Sequence, residues 1–238
     1  MPKQDRAPGA PPVAPSPLEL AIYELEQKAN NYHQKKAACA PANETQEQAD
    51  ERELARKKDW DHLQQQKRHV EVLADLQAKL DAYRAANKSK SPNELLKEKH
   101  HPTKLLGNHL TAVNEPKPSE HHDAHHIIMG IGRHQKPRML RARLNLHLHG
   151  IGINDPQNGA WLPRKYEHKG HWACPQAPAH KEIHRYNYET WISDLFSLPG
   201  LTELTVTSRL REVKTMLKFG GYPEKITMPK DCEWTAEA

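Results

Sequence analysis

Two histidines side by side, His125 and His126, stand just before the apolar pair Ile127-Ile128. Further along come Asn158-Gly159, ahead of the apolar Ala160-Trp161-Leu162, and then His180 and His184, four residues apart. Imidazole is a ready ligand for divalent cations and titrates near neutrality. Hydrolysis of a phosphodiester near neutral pH needs a base for water, a cation on the scissile phosphate, and groups that hold both in register. Adjacent histidines on a strand can supply the first two, because successive side chains point to opposite faces. On a helix, His180 and His184 would share a face and could hold one cation. Asn158, with Gly159 permitting a tight turn, is placed to fix the loop or to orient the base. Of 17 histidines only His33, His62 and His69 precede His100. The concentration in the second half argues for chemistry there.

The elements that must position these groups differ between the two halves. Residues 1–16 form a Pro-rich leader, expected to be disordered. Ser16-Pro17-Leu18-Glu19 reads as a capping box opening a helix to about residue 36. After a break at Cys39-Ala40-Pro41, Asn43 is the expected cap of a long polar helix to about Ala86. Its apolar stripe (Leu54, Leu63, Val70, Leu73, Leu76, Leu80, Tyr83) is thin, which suits a helical hairpin or a coiled coil. Ser91-Pro92-Asn93-Glu94 is another capping box, for a short helix ending near Lys99. The domain boundary is expected at 88–104, giving a helical segment 17–99 and a second domain 100–238. There, Leu105, Leu106 and Leu110 mark a short helix. Arg138–Leu148 is helical with Leu140, Leu144 and Leu148 on one face, Ala160–Leu162 is a strand, and His180–Phe196 is an amphipathic helix. A last helix uses Leu210, Val213 and Leu217 and stops at Gly220-Gly221. The tail from Tyr222 wraps the surface.

Composition narrows the classes. The mean hydropathy is -0.93 and the isoelectric point about 9.0, with a formal charge of +5 and only two Phe. Such a chain pairs one ordinary core with a poorly buried segment, and its mild basicity fits a phosphate-bearing partner. Cys39, Cys174 and Cys232 contain no CxxC, so neither a disulfide framework nor a four-cysteine zinc site is expected. There is no apolar run long enough for a membrane span and no signal peptide. The expected location is the cytoplasm of a producing cell.

Taken in order, Ala124-His125-His126-Ile127, Gly150-x-x-Ile153-Asn154-Asp155, Asn158-Gly159-x-Trp161-Leu162-Pro163 and His180-x3-His184-x-Tyr186 resemble the AHH family of the HNH/endonuclease VII nuclease superfamily. The resemblance covers roughly Leu105 to Phe196. It implies an α+β, mostly helical fold with a ββα-metal core, preceded here by the helical hairpin or coiled-coil segment. By the same resemblance His125, His180 and His184 hold one divalent metal ion, His126 is the general base, and Asn158 matches the middle Asn of HNH. Zinc or nickel suits three imidazoles, while magnesium is common in phosphodiester chemistry. Family members are commonly secreted interbacterial toxins, such as type VI secretion effectors, held in check by a cognate immunity protein. The implied substrate is DNA, with RNA the alternative. Residues 17–99 would then meet a secretion-system component or an adaptor chaperone, without a membrane role.

Other groups carry blander expectations. Arg138, Arg141, Arg164 and Lys165, within a belt that includes Arg133, Lys136 and Arg143, are candidates for the nucleic-acid backbone. The pairs His100-His101 and His121-His122 are expected in solvated loops, His147 and His149 on the surface, and His168 and His171 in a loop. Loss of metal and activity is expected as pH falls through the ordinary histidine range, ~6.5. Two non-enzymatic readings stand against the nuclease. One is a helical interaction protein with a structural metal, and the other is a DNA-binding module using the basic belt.

Overall fold

A computed structural model of the chain describes residues 14–101 and 103–236. Most of the expected Pro-rich leader, residues 1–13, lies outside the described residues. The chain divides into two compact units, Met1–Gln77 and Ala78–Ala238.

In the first unit, helix α1 (Pro17–Ala37) starts at the expected capping box: Ser16 Oγ accepts Glu19 N–H, and the Glu19 carboxylate accepts Ser16 N–H. Helix α2 (Gln46–Lys88) begins the same way, but at Thr45 rather than Asn43. Gln48 N–H donates to Thr45 Oγ1 at 3.3 Å, and Thr45 N–H to Gln48 Oε1 at 3.0 Å. Threonine with glutamine three residues on satisfies two free helix-end amides at once, which Asn43 with Gln46 does not achieve here. The two helices form a hairpin: Tyr32 lies 5.4 Å from the Trp60 ring, and Lys28 Nζ donates to Gln66 Oε1. No side chain of α1 is buried, and Leu54 of the expected stripe is 53 % exposed. This unit holds its shape by ring contacts and polar pairs more than by a core.

The second unit begins inside α2, earlier than the expected boundary. Leu80 is buried, and Arg84 clasps the Asp155 carboxylate through two bonds of 2.8 and 3.0 Å. Helix α3 (Pro92–Leu95) opens on the expected capping box at Ser91 but stops well before Lys99. The buried guanidinium of Arg143 accounts for that, since it takes the carbonyls of Leu95 and Glu98 that a longer helix would use. Helix α4 (Lys104–Ala112) lays Leu106 and Leu110 against Ala124 and Trp161 of a two-stranded antiparallel sheet. Its strands are β1 (His122–His126) and β2 (Gly159–Pro163), with His125 opposite Ala160 and His126 opposite Gly159.

Between the strands runs α5 (Lys136–Leu148), and after them come α6 (Tyr186–Phe196) and α7 (Glu203–Phe219). The main core joins Ile127 and Ile128 to Met139, Ala142 and Leu146 of α5, Tyr188, Ile192 and Phe196 of α6, and Leu210, Val213 and Leu217 of α7. The Leu140/Leu144/Leu148 face of α5 is the outward one, with Leu140 50 % and Leu148 64 % exposed. Two apolar stripes compete on that helix, and the one holding Met139, Ala142 and Leu146 meets α6.

His180 and His184 do not lie on a helix. Residues 180–185 form turns and bends, and α6 starts only at Tyr186. His180 N–H is spent on Pro163 O at 2.7 Å, and the Glu182 carboxylate folds back onto Ala179 N–H. Helix α7 ends as expected at Gly220 and Gly221, whose φ values of 91° and 93° favour glycine. The tail is tied down more firmly than a surface wrap. Asn187 donates to Lys225 O and Pro229 O, and Ile226 is buried. Among the described residues no helix is long and apolar enough to cross a membrane.

Candidate active site

Strand β1 separates its histidines as alternation requires. Asp123 and His125 look one way, toward His180, His184 and Tyr188. His126 looks the other way, toward Asn154, with His100 and His101 around its ring. Both histidines are buried, at 2 % and 5 % exposure. They meet at a small cavity of about 90 Å³ whose walls include His100, His101, Arg133, His180 and His184.

The hydrogen bonds decide which ring nitrogens carry protons. Tyr188 donates its hydroxyl proton to Ile127 O (3.1 Å), so its oxygen accepts from His125 Nε2 (2.9 Å). The His125 lone pair is therefore on Nδ1. His180 Nδ1 lies 3.7 Å from the Asp123 carboxylate, which favours a proton there and leaves Nε2 as the donor atom. The Asp123 carboxyl, raised by burial but lowered further by Arg164, stays below the ordinary carboxylate range. His184 Nε2 is only 2.8 Å from His180 Nε2. Two bare imidazole nitrogens at that distance repel unless a proton or a cation lies between them. One ligand atom from each of His125, His180 and His184 falls within 4.8 Å of the others.

Burial lowers the proton affinity of all three. His125 is held well below the ordinary histidine value, His180 is lowered against the opposing pull of Asp123, and His184 is lowered to about 4. At neutral pH the three rings thus offer lone pairs. Three neutral imidazoles backed by a carboxylate and a phenol fit a borderline-soft divalent cation. The same burial shifts the acid limit expected from the sequence to lower pH.

His126 is fixed by a longer chain of bonds. Asn154 Nδ2 donates to Glu98 Oε1 (2.7 Å) and Lys99 O (3.0 Å), so its Oδ1 must face His126. His126 Nε2, 3.0 Å away, is then the protonated nitrogen, and Nδ1 keeps the lone pair. Among the described residues Nδ1 has no hydrogen-bond partner. Asn154 is held in turn by Tyr83, which accepts its backbone N–H and donates to Glu98, and by His109 at its carbonyl. Burial lowers the His126 pKa to about 4.

Asn158 does other work. Its Oδ1 accepts Ile128 N–H (2.8 Å), and its Nδ2 donates to Ile128 O and Ile153 O. It staples the chain after β1 to the loop before β2, and Asn154 is the residue that touches His126. Glu189, buried on α6, similarly gathers the amides of Arg133, His134 and Gln135 and so sets Arg133 at the cavity rim.

The remaining candidates scatter. Arg164 is paired with Asp123, Arg138 with Asp194 and Lys165 with Glu167. Arg141 is exposed on α5, and neither it nor Arg133 has an ion pair among the described residues. His147 is buried and structural, receiving Arg143 Nε–H and meeting Ile151 O. His100 and His101 were expected in a solvated loop, but they wall the cavity. The His100 ring sits where a side chain on Gly130 would collide with it at 2.2 Å. Gly130, two residues past the His-His-Ile-Ile run, was the available signal. Asn154 lay inside the Gly-x-x-Ile-Asn-Asp motif, but nothing local assigned it to His126.

A mostly helical α+β domain, with a paired-His strand in a two-stranded antiparallel sheet and three imidazoles converging beside it, has the build of an HNH-like nuclease. Residues 106–215 match the AHH family, a nuclease family of the HNH/ENDO VII superfamily with a conserved AHH. Ala124-His125-His126 is that tripeptide in this segment. Over that segment the chain is similar to a family of metal-dependent phosphodiester hydrolases. No curated protein and no solved structure matches the chain.

Proposed function

We propose that the second unit is an endonuclease acting on DNA, with His126 as general base and His125, His180 and His184 as the metal ligands. The observation that carries this reading is the fixed tautomer of His126, whose basic Nδ1 belongs to a ring on the same small cavity as the imidazole trio. The trio would hold a divalent cation, which when bound would supply positive charge to the scissile phosphate. His126 Nδ1 accepts the proton of the attacking water, and Asn154 keeps the ring from turning. Arg133 at the rim meets the nucleic-acid backbone, joined by Arg141. Arg138, Arg164 and Lys165 contribute less, since each already faces a carboxylate. The test is cleavage of plasmid by purified protein with magnesium, zinc or EDTA, beside His126→Ala. Metal-dependent nicking lost in the variant supports the assignment. Wild-type nicking in His126→Ala would overturn the base, and an intact plasmid with RNA degraded would reassign the substrate.

The resemblance to toxin nucleases extends this to delivery into a rival cell's cytoplasm, with a cognate immunity protein in the producer. In this reading residues 17–99 meet a secretion-system component or adaptor chaperone. The support is the hairpin of the first unit, whose α1 buries no side chain. Expression of the wild-type chain, but not His126→Ala, should arrest growth of a host without the inhibitor.

A further inference from the structure

The first residue of β1 faces a second set of donors that the proposed chemistry does not use. His122 and Cys174 are both buried, each 1 % exposed, and Cys174 Sγ lies 3.4 Å from His122 Nε2. The His171 ring sits 5.0 Å from that of His122, nearly edge-on. One ligand atom from each of His122, His171 and Cys174 lies within 4.8 Å of the others. On its far side His122 Nδ1 is 2.9 Å from Ser119 Oγ. A proton there is donated to the serine oxygen and leaves the Nε2 lone pair facing the sulfur. To join, His171 would give up the 3.2 Å bond that its Nδ1 accepts from Ala173 N–H and turn that lone pair to the cation.

We infer that His122, His171 and Cys174 form a second metal site, for zinc, that pins the loop after β2 to the start of the catalytic strand. Two imidazoles with one thiolate are a borderline-soft donor set that selects zinc over magnesium. Three protein donors leave one position for solvent. On binding, the Cys174 S–H bond breaks, its electron pair goes to the cation, and the proton leaves to solvent. The site has work to do in the fold. From Arg164 to Arg185 the chain has no regular element beyond the short turn Tyr166–His168. Yet this stretch must deliver His180 and His184 to the cavity. A long irregular segment needs such a tie, because it has few backbone bonds of its own.

Cobalt substitution tests the site without reference to cleavage, because only a cysteine-bearing site gives a sulfur-to-cobalt charge-transfer band. The full chain, stripped of metal, should develop that band and saturate it within two equivalents of cobalt, one for each cluster. His184→Ala, which alters only the other cluster, should keep it. Cys174→Ser should lose it, and His171→Ala should weaken cobalt binding at that site at least about tenfold. No band in the wild type, or a band that survives Cys174→Ser, overturns the proposal. Should Cys174→Ser fail to fold, His171→Ala decides. Its ring is half-buried and its loss leaves the core intact, so unchanged cobalt affinity there overturns the site. None of these readouts depends on nuclease activity, so the two assignments fail separately.

Discussion

The two ends of β1 use similar ingredients for different ends. At the His125-His126 end, three imidazoles converge beside a fourth whose tautomer is fixed, and the group opens onto a cavity. At the His122 end, two imidazoles and a thiol converge, and none of the three lines that cavity. The comparison teaches that donors alone do not make a catalytic centre. Under the proposed function, a neighbouring base with its lone pair directed, and room for a phosphate, set a site for chemistry apart from one that would tie the fold together.

The sharpest way to break that contrast is to remove the proposed base. His126→Ala should lower cleavage about 10²- to 10⁴-fold while metal content, read by elemental analysis, stays at the wild-type level. Removing His122 instead should cost thermal stability, with cleavage per folded molecule falling far less. Equal losses of cleavage at the two ends would erase the distinction. Next in size is Asn154→Ala, which frees the His126 ring. We expect a loss of about 10- to 100-fold in kcat, with metal content unchanged, whereas a purely structural role would lower the folded fraction and leave kcat per folded molecule intact.

Acid should strain both ends together. Burial lowers His122, His126 and His184 to about 4, against ~6.5 in the unfolded chain. As pH falls below ~6.5 the unfolded state takes up protons first, so stability present at neutral pH is lost between there and about 4. Melting temperatures of EDTA-treated protein should therefore fall steadily across that window. A flat profile would mean that these rings are not buried and neutral. Asn158→Ala should cost about 1–3 kcal/mol in urea unfolding, the penalty for buried groups left unpaired. The smallest effect belongs to Arg133→Ala, which should weaken DNA binding and reduce its salt dependence by about one phosphate contact.

Much of the fold was legible because its signals are local. The Ser16 and Ser91 capping boxes place two helix starts through residues three apart, and Gly220-Gly221 stop α7 through their own backbone freedom. The paired histidines before Ile127-Ile128 marked β1, and the motif order named the family. Where two local readings competed, the sequence could not arbitrate. Asn43 was the expected cap of α2, α5 carried two apolar stripes, and His180-x3-His184 was read as part of a helix. The cap went to Thr45 through Gln48, three residues on, whereas a distant partner decided the other two: α6 for the stripe of α5, and Pro163 O for the His180 amide. The cysteine pattern excluded a four-cysteine site, but it could not reveal a mixed one whose first ligand lies 52 residues before Cys174.

By itself the sequence determined the ingredients: a basic, histidine-rich second half, the AHH strand, the helix starts and stops, and the nuclease family. Only the tertiary structure decided their roles. It chose Asn154 over Asn158 as the partner of His126, brought His100 and His101 to the cavity, and gathered Cys174 to His122. The reason is physical. Helix caps and turns are set by neighbours a few residues apart. The protonated nitrogen of a buried imidazole is set by whichever donor or acceptor the folded chain places against it.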